Sequence, residues 1–309
     1  MKILLTGHTG QLGHVLAQDL QAHGEVVVAS RAAMDLSQPD RIRSFVRAVR
    51  PDLIVNPAAY TAVDRAQSEV PLAAAVNSVA PMVLAQEAHA LDAGFIHFST
   101  DYVFDGGKAS PYTELDPPCP ANAYGQTKLD GEQAIAEQHD AWWIFRLSWV
   151  YGAYGGNFLK TIARLARERQ ALTVVADQIG APTWTRTISR AVQQCLLQRP
   201  QGVSLAAYMR STAGIYHLAA AGATSWHGYA QHIVRRLAAQ GVALTLDADA
   251  IAPVTTAEYP TAARRPANSR MDTSRVKKTF GLDFPSWDEE VDHCLAELAN
   301  IEQTGQSGA

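Results

Sequence analysis

The sequence predicts an α/β fold: a Rossmann-type doubly wound parallel sheet followed by a smaller mixed α/β C-terminal substrate domain. Two observations carry this. Short apolar, β-rich runs alternate with longer segments of helical spacing through the first half, which implies βαβ units and a parallel sheet covered on both faces. A glycine-rich turn also follows the first of these runs directly and opens an amphipathic helix.

In chain order the strands read KILLT, EVVVAS, DLIVNPA, GFIHFS and WWIFRLS, each a short β-prone run bounded by turn residues. Between them PDRIRSFVRAVR and PLAAAVNSVAPMVLAQEAHALDA carry apolar residues at helical spacing. Beyond about residue 150 the alternation loosens into helices (NFLKTIARLARERQ, TISRAVQQCLLQ, WHGYAQHIVRRLAAQ), one clear strand at GIYHLA, and the loop APVTTAEYPTAARRPANSRMD. The expected division is therefore a cofactor domain over 1–150 and a substrate domain over 151–302, some of whose segments return to the first sheet. Residues 303–309 read as a flexible tail. Trp142 and Trp143 read as core.

Composition narrows the function classes. A chain of 309 residues, 47% hydrophobic, buries a sizeable core. The formal net charge of -4, with arginines and lysines scattered, offers no basic stripe for a nucleic acid. The opening apolar run is too short for a leader, and no run nears the roughly 18 residues of a membrane span. A soluble, cytoplasmic protein without membrane or nucleic-acid partners is expected. The 3 cysteines, Cys119, Cys195 and Cys294, are far apart, so neither a disulfide framework nor a zinc site is expected.

Gly7, Gly10 and Gly13 form GxxGxxG between the first strand and its helix, the arrangement that binds a dinucleotide. The first glycine permits the tight turn, the second lets the backbone approach a pyrophosphate, and the third lets helix and strand pack closely. Gln11 and Leu12 stand at the helix N-terminus, where amides and the helix dipole favour phosphate. At the end of the second strand, Ser30 and Arg31 stand where NAD-preferring proteins place an acid. A guanidinium there suits a 2′-phosphate and favours NADPH over NADH, while a solvated surface arginine is the competing reading. Asp35 and Leu36 are placed to meet the adenine edge.

Tyr124 and Lys128 stand one helical turn apart in AYGQTKLDGEQAIAEQ. Chance alone gives about 0.2 such spacings in a chain of this composition, so position decides. The fourth strand delivers Ser99 and Thr100 at its C-terminal end, where open parallel sheets bind ligands. A tyrosine of pKa about 10 is a poor acid near neutral pH, and an ammonium one turn away lowers that value. Thr100 is the candidate to orient a substrate oxygen.

GxxGxxG, Ser/Thr and YxxxK together resemble the extended short-chain dehydrogenase/reductases. The finer wording is similar to the dTDP-4-dehydrorhamnose reductases, in order and at natural spacing over nearly the whole chain: LLTGHTGQLG, NPAAYTAVDRAQSE, VNSVAP, STDYVFDG, YGQTKLDGE, FRLSWVYG, NFLKTIARLA, VVADQIGAPT, GIYHLAAAGATSWHGYA and YPTAARRPANSRMD. The resemblance implies reduction of the C4 ketone of dTDP-4-dehydro-L-rhamnose by NADPH or NADH. Tyr124 would give the proton, Lys128 would be its electrostatic partner and hold the nicotinamide ribose, and Thr100 would be the third catalytic residue. Ala58, Ala59, Tyr60 and Thr61 would line the cofactor, with Phe98 beside it and Asn77 supporting the active-site backbone; a locally satisfied helix asparagine is the other reading of Asn77. Asp101, Trp149, Asn157, Arg264 and Arg265 would face the sugar nucleotide, with the 177–183 loop and Asn268-Ser269; the arginines also read as solvated loop charges.

Two positions depart from the family's pattern. Pro57 replaces an alanine in the NAAAY-type phrase and removes a backbone donor. Val15 and Arg186 stand where some members bind a bridging magnesium, so a monomer or a metal-independent dimer is expected, with no metal site. Three rivals share the fold. A 4,6-dehydratase is expected to carry Asp-Glu after the threonine, where this chain has Asp101-Tyr102. A 4-epimerase uses the same Tyr and Lys but does not consume its cofactor. A non-catalytic subunit similar to the methionine adenosyltransferase β subunit is the third.

Overall fold

The computed structural model describes residues 1–304. Its centre is a six-stranded sheet whose strands we label β1 (Lys2–Leu5), β2 (Glu25–Val28), β3 (Leu53–Asn56), β4 (Gly94–Thr100), β5 (Trp142–Leu147) and β6 (Gly214–Leu218). Every pairing is parallel, in the order β6-β5-β4-β3-β1-β2. The chain moves from β1 outward to β2 and then returns to the other side of β1 for β3. The crevice at the C-terminal ends of β1 and β3 is thus the switch point at which such sheets bind ligands. β3 and β4 are buried along their whole length, as continuous apolar strands covered on both faces must be.

The covering helices include Gln11–Asp19, Pro39–Val49, Ala80–Ala90 and Ala123–Gln138. A π-turn, Ala75–Val79, interrupts the long helical stretch ahead of Ala80. Pro81 explains it: proline has no N–H to offer the Asn77 carbonyl, so the ladder shifts register there.

One apolar cluster joins Ile3, Leu5, Val55 and Trp143 to Ile188, Met209, Tyr216 and Phe280, so segments from the second half pack on this sheet. A separate core of Tyr151, Leu159, Tyr229, Ile233 and Val291 lies under short strands: Leu172–Val175 pairs with Ile251–Val254, and Val150–Tyr151 with Thr183–Trp184. Trp143 is fully buried and Trp142 packs partly buried at the edge of the core. Cys195 and Cys294 are buried and Cys119 is exposed.

Three expectations are revised. The second strand ends at Val28, leaving Ala29 and Ser30 in the following loop. The tail expected from residue 303 is helical at Gln303 and Thr304, because the helix Trp287–Thr304 runs through them; residues 305–309 lie outside the described part. The helices Leu205–Ser211 and Ser274–Phe280 were not anticipated.

Candidate functional site

Gly7 leaves β1 at φ 58°, a left-handed conformation that glycine adopts without strain, and its carbonyl accepts from the Gly10 amide at 3.0 Å. A Cβ on Gly13 would lie 2.0 Å from that same carbonyl oxygen, so only glycine lets the helix Gln11–Asp19 sit against the turn. Gly10 is exposed and opens toward the crevice, while Leu12 is buried in the sheet core. Gln11 reaches across: its side-chain oxygen accepts from Asn157 at 2.9 Å, and Asn157 caps the helix Phe158–Glu168 while donating to the Gly152 carbonyl at 2.7 Å. The phosphate turn is thereby tied to the second half of the chain.

Arg31 is exposed just beyond β2. Ser30 folds back, its hydroxyl accepting from the Ala33 amide. Asp35 is held in a turn by the amide and hydroxyl of Ser37, which keep its carboxyl below the usual range, and Leu36 packs partly buried against the core.

After β3, Ala58, Ala59 and Tyr60 are half-buried and Thr61 is exposed. The fully buried Asn77 fixes this segment: it accepts from the Tyr60 amide at 2.8 Å, and its amide nitrogen donates to the Tyr60 carbonyl and the Thr127 hydroxyl. One side chain in the π-turn thus clamps the loop after β3 to the helix that bears Tyr124.

Asn122 caps that helix through the Gly125 amide at 2.8 Å and donates to the Arg264 carbonyl at 2.9 Å, which draws the 259–272 loop over the site. Tyr124 is 9% exposed and packs among Ala66, Ala73, Tyr60 and Tyr102. Burial pushes its phenol up to about 12, although the nearby Thr100 hydroxyl pulls the other way. The expected lowering by Lys128 is not what this geometry produces. The Lys128 ammonium turns to the Phe98 carbonyl at 2.7 Å and to His97 Nε2 at 3.0 Å, and burial holds it down at about 8.

His97 continues a buried chain of polar atoms that the sequence did not reveal. Its Nδ1 lies 3.1 Å from Asn56 Nδ2, the Asn56 oxygen accepts from Thr6 at 2.6 Å, and the Thr6 hydroxyl accepts from the Ala58 amide. The heavy atoms admit two proton arrangements. If the Asn56 amide donates to His97, the ring proton sits on Nε2 and Lys128 must accept it as a neutral amine. If Lys128 is an ammonium, Nε2 accepts, Nδ1 carries the proton, and the Asn56 amide is reversed. The charge on Lys128 is therefore linked to the histidine tautomer.

Thr100 ends β4; its hydroxyl donates to Asp101 at 3.0 Å and accepts from the Tyr102 amide. Asp101 is 4% exposed, and burial raises its carboxyl to about 6. The hydroxyls of Ser148 and Ser269 lie close by and pull the Asp101 carboxyl down against burial, while Ser99 Oγ and the buried Nη1 of Arg265 have no hydrogen-bond partner among the described residues. Arg265 donates to Asp64 at 2.6 Å, while Arg264 is exposed. Trp149 is held at φ 47° with its ring stacked on Trp226 at 3.6 Å. Val15 is buried, and Arg186 is engaged by Asp19 and Glu297.

Asp101→Asn is expected to raise stability near neutral pH by roughly 1–3 kcal/mol while reducing activity. The folded-state value of about 6 lies above the ordinary 3.8. The contribution is therefore complete at acid pH and is lost as pH rises through about 6, leaving a cost at neutrality that the amide does not carry. Thermal unfolding against pH checks this. A stability gain that vanishes below about pH 4 is expected; a uniform loss refutes it.

A glycine turn thus lies under a parallel-sheet switch point, with Thr100 at the end of β4 and Tyr124 on the helix beside it. The RmlD substrate binding domain family matches residues 1–300. The chain is 46% identical over 298 residues to dTDP-4-dehydrorhamnose reductase of Burkholderia thailandensis, covering 96% of this chain and 99% of that one. It is 40% identical over 302 residues to the Escherichia coli enzyme of that name, covering 96% and 98%. Among solved structures, dTDP-4-dehydrorhamnose reductase from Bacillus anthracis in complex with NADP matches with a TM-score of 0.85 at 32% identity, covering 96% of this chain and 99% of that one. The chain belongs to the dTDP-4-dehydrorhamnose reductase family. The fold alone is shared with dTDP-glucose 4,6-dehydratase of Streptomyces venezuelae, which aligns at a TM-score of 0.77 and 17% identity over 98% of each chain.

Proposed function

We propose that the protein reduces the C4 ketone of dTDP-4-dehydro-L-rhamnose to the alcohol of dTDP-L-rhamnose, using NADPH. The observation that carries this is the Thr100–Tyr124 pair at the C-terminal end of β4, beside the crevice opened by Gly7–Gly13, in a chain of this family. The glycine cradle and the unsatisfied polar atoms fit a dinucleotide and a sugar. NADPH, when bound, supplies the hydride. Tyr124, protonated at neutral pH, gives its proton to the carbonyl oxygen as C4 becomes sp³; Thr100 orients that oxygen, and Lys128 would hold the ribose once released from His97. Arg31, exposed just beyond β2, would pair with the 2′-phosphate, with Ser30 beside it. Asp101, directly after β4, together with Trp149, Asn157, Arg264 and Arg265 from later in the chain, would line the sugar-nucleotide side.

Among the described residues no helix is long and apolar enough to cross a membrane, and we place the enzyme in the cytoplasm, where NADPH and activated sugars are made. Core packing of Val15 and the carboxylate partners of Arg186 support a monomer or a dimer without bridging metal.

The test follows NADPH absorbance in the presence of dTDP-4-dehydro-L-rhamnose generated by the preceding dehydratase and epimerase. One NADPH oxidised per sugar reduced is expected. Tight NADPH binding without oxidation would instead identify a redox-neutral epimerase or a regulatory subunit.

A further inference from the structure

The group of metal-ligand side chains that converges among the described residues lies at the opposite end of the sheet from the reaction site. His89, His139 and Asp140 place one ligand atom each within 4.8 Å of one another. His89 stands in the last turn of the helix Ala80–Ala90, and His139 is the C-cap of the helix Ala123–Gln138. Two helix C-termini, each carrying partial negative charge, therefore meet at this point and favour a cation.

The decisive feature is His139. Its Nε2 lies 2.9 Å from the Ala93 carbonyl, which can only accept, so the ring proton is on Nε2 and Nδ1 presents a bare lone pair. Nδ1 is buried, has no hydrogen-bond partner among the described residues, and lies 3.8 Å from the Asp140 carboxylate. An imidazole whose far nitrogen donates to a backbone carbonyl, leaving the near one free, is the usual state of a metal-bound histidine. Its side chain is fully buried and fixed, whereas His89 and the largely exposed Asp140 can swing to meet an ion. Bringing three donors to the roughly 2.0–2.2 Å of a zinc-type ion needs only that adjustment.

We propose that His89, His139 Nδ1 and Asp140 bind one divalent transition-metal cation of zinc type, with water completing the shell, which staples the ends of two helices at the base of the cofactor half. Two imidazoles and one carboxylate suit such an ion and not magnesium or calcium. One neighbour competes: Arg210 Nε donates to Asp140 at 3.0 Å, and its other end is held by Asp92. Metal binding must displace that guanidinium from Asp140.

The test uses the full, tag-free chain, stripped with a chelator and titrated with Zn²⁺ by calorimetry and with Co²⁺ by visible absorption. One equivalent is expected to bind, with the intense Co²⁺ bands of low coordination number and a rise in melting temperature. His89→Ala, at an exposed position, is expected to weaken binding at least ~10-fold and to leave NADPH oxidation unchanged. Arg210→Ala, which frees Asp140, is expected to tighten binding several-fold. Absence of saturable binding, or binding that His89→Ala leaves unaltered, overturns the site; neither result bears on the reductase reading.

Discussion

Tyr124→Phe is expected to lower kcat by roughly 10²–10⁴-fold while NADPH still binds. The phenol is buried among apolar side chains and is pushed up to about 12, so it carries its proton throughout the physiological range, as the acid proposed for ketone reduction must. Phenylalanine fills the same space against Tyr102, whose ring meets it edge-on at 5.5 Å, so the fold has no reason to change. The loss should appear in single-turnover hydride transfer, where product release does not mask it. If the variant keeps nearly the full single-turnover rate, the proton comes from elsewhere. Asp101, raised to about 6 and next to Thr100, is then the group to replace. Since the Lys128 ammonium is engaged by Phe98 and His97, approach to Tyr124 and the ribose requires release of the His97 contact, and with it a choice of histidine tautomer.

The parts of this site legible in the sequence are those encoded locally. Gly7, Gly10 and Gly13 follow a strand and open a helix within a dozen residues, and Tyr124 and Lys128 share one face of one helix. The Thr6–Asn56–His97 chain could not be read this way, because its members sit on or directly after β1, β3 and β4 and become neighbours only through the strand order. The one local signal was a histidine inside GFIHFST, an otherwise apolar strand end. The surroundings of Asp101 were hidden for the same reason: Ser269 arrives from a loop anchored by Asn268 on the Lys108 and Ser110 carbonyls. The family phrases supplied Trp149, Asn157 and Arg265 by position, but Arg265 bonded to Asp64 and Asn157 bonded to Gln11 are tertiary facts. In the second half, strands of two residues such as Ile179–Gly180 and Thr224–Ser225 span a single β period, too short for an alternation to show.

Gly13→Ala and Gly10→Ala are expected to fail differently, and the contrast locates the phosphate. On Gly13 the new methyl would lie 2.0 Å from the Gly7 carbonyl oxygen and 2.6 Å from its carbon, both backbone atoms that cannot turn aside. The helix must lift off β1, and Leu12 and Leu16 lose their seat in the sheet core. A destabilisation of about 3 kcal/mol or more is expected, with loss of NADPH binding following from the damaged turn. On Gly10 the nearest atom is the same oxygen at 3.3 Å, which a shift of a few tenths of an ångström relieves, and φ is -81°, a value alanine adopts freely. That variant should fold with a melting temperature close to the parent's. Its methyl nevertheless stands on the exposed side of the turn, where a pyrophosphate must approach the helix amides. Blocking one or two charge-assisted hydrogen bonds there is expected to weaken NADPH by roughly 10–100-fold. Calorimetric titration of NADPH against a stably folded Gly10→Ala separates the two effects. Unchanged affinity would place the diphosphate away from this turn, whereas selective loss fixes it at the N-terminus of the helix Gln11–Asp19.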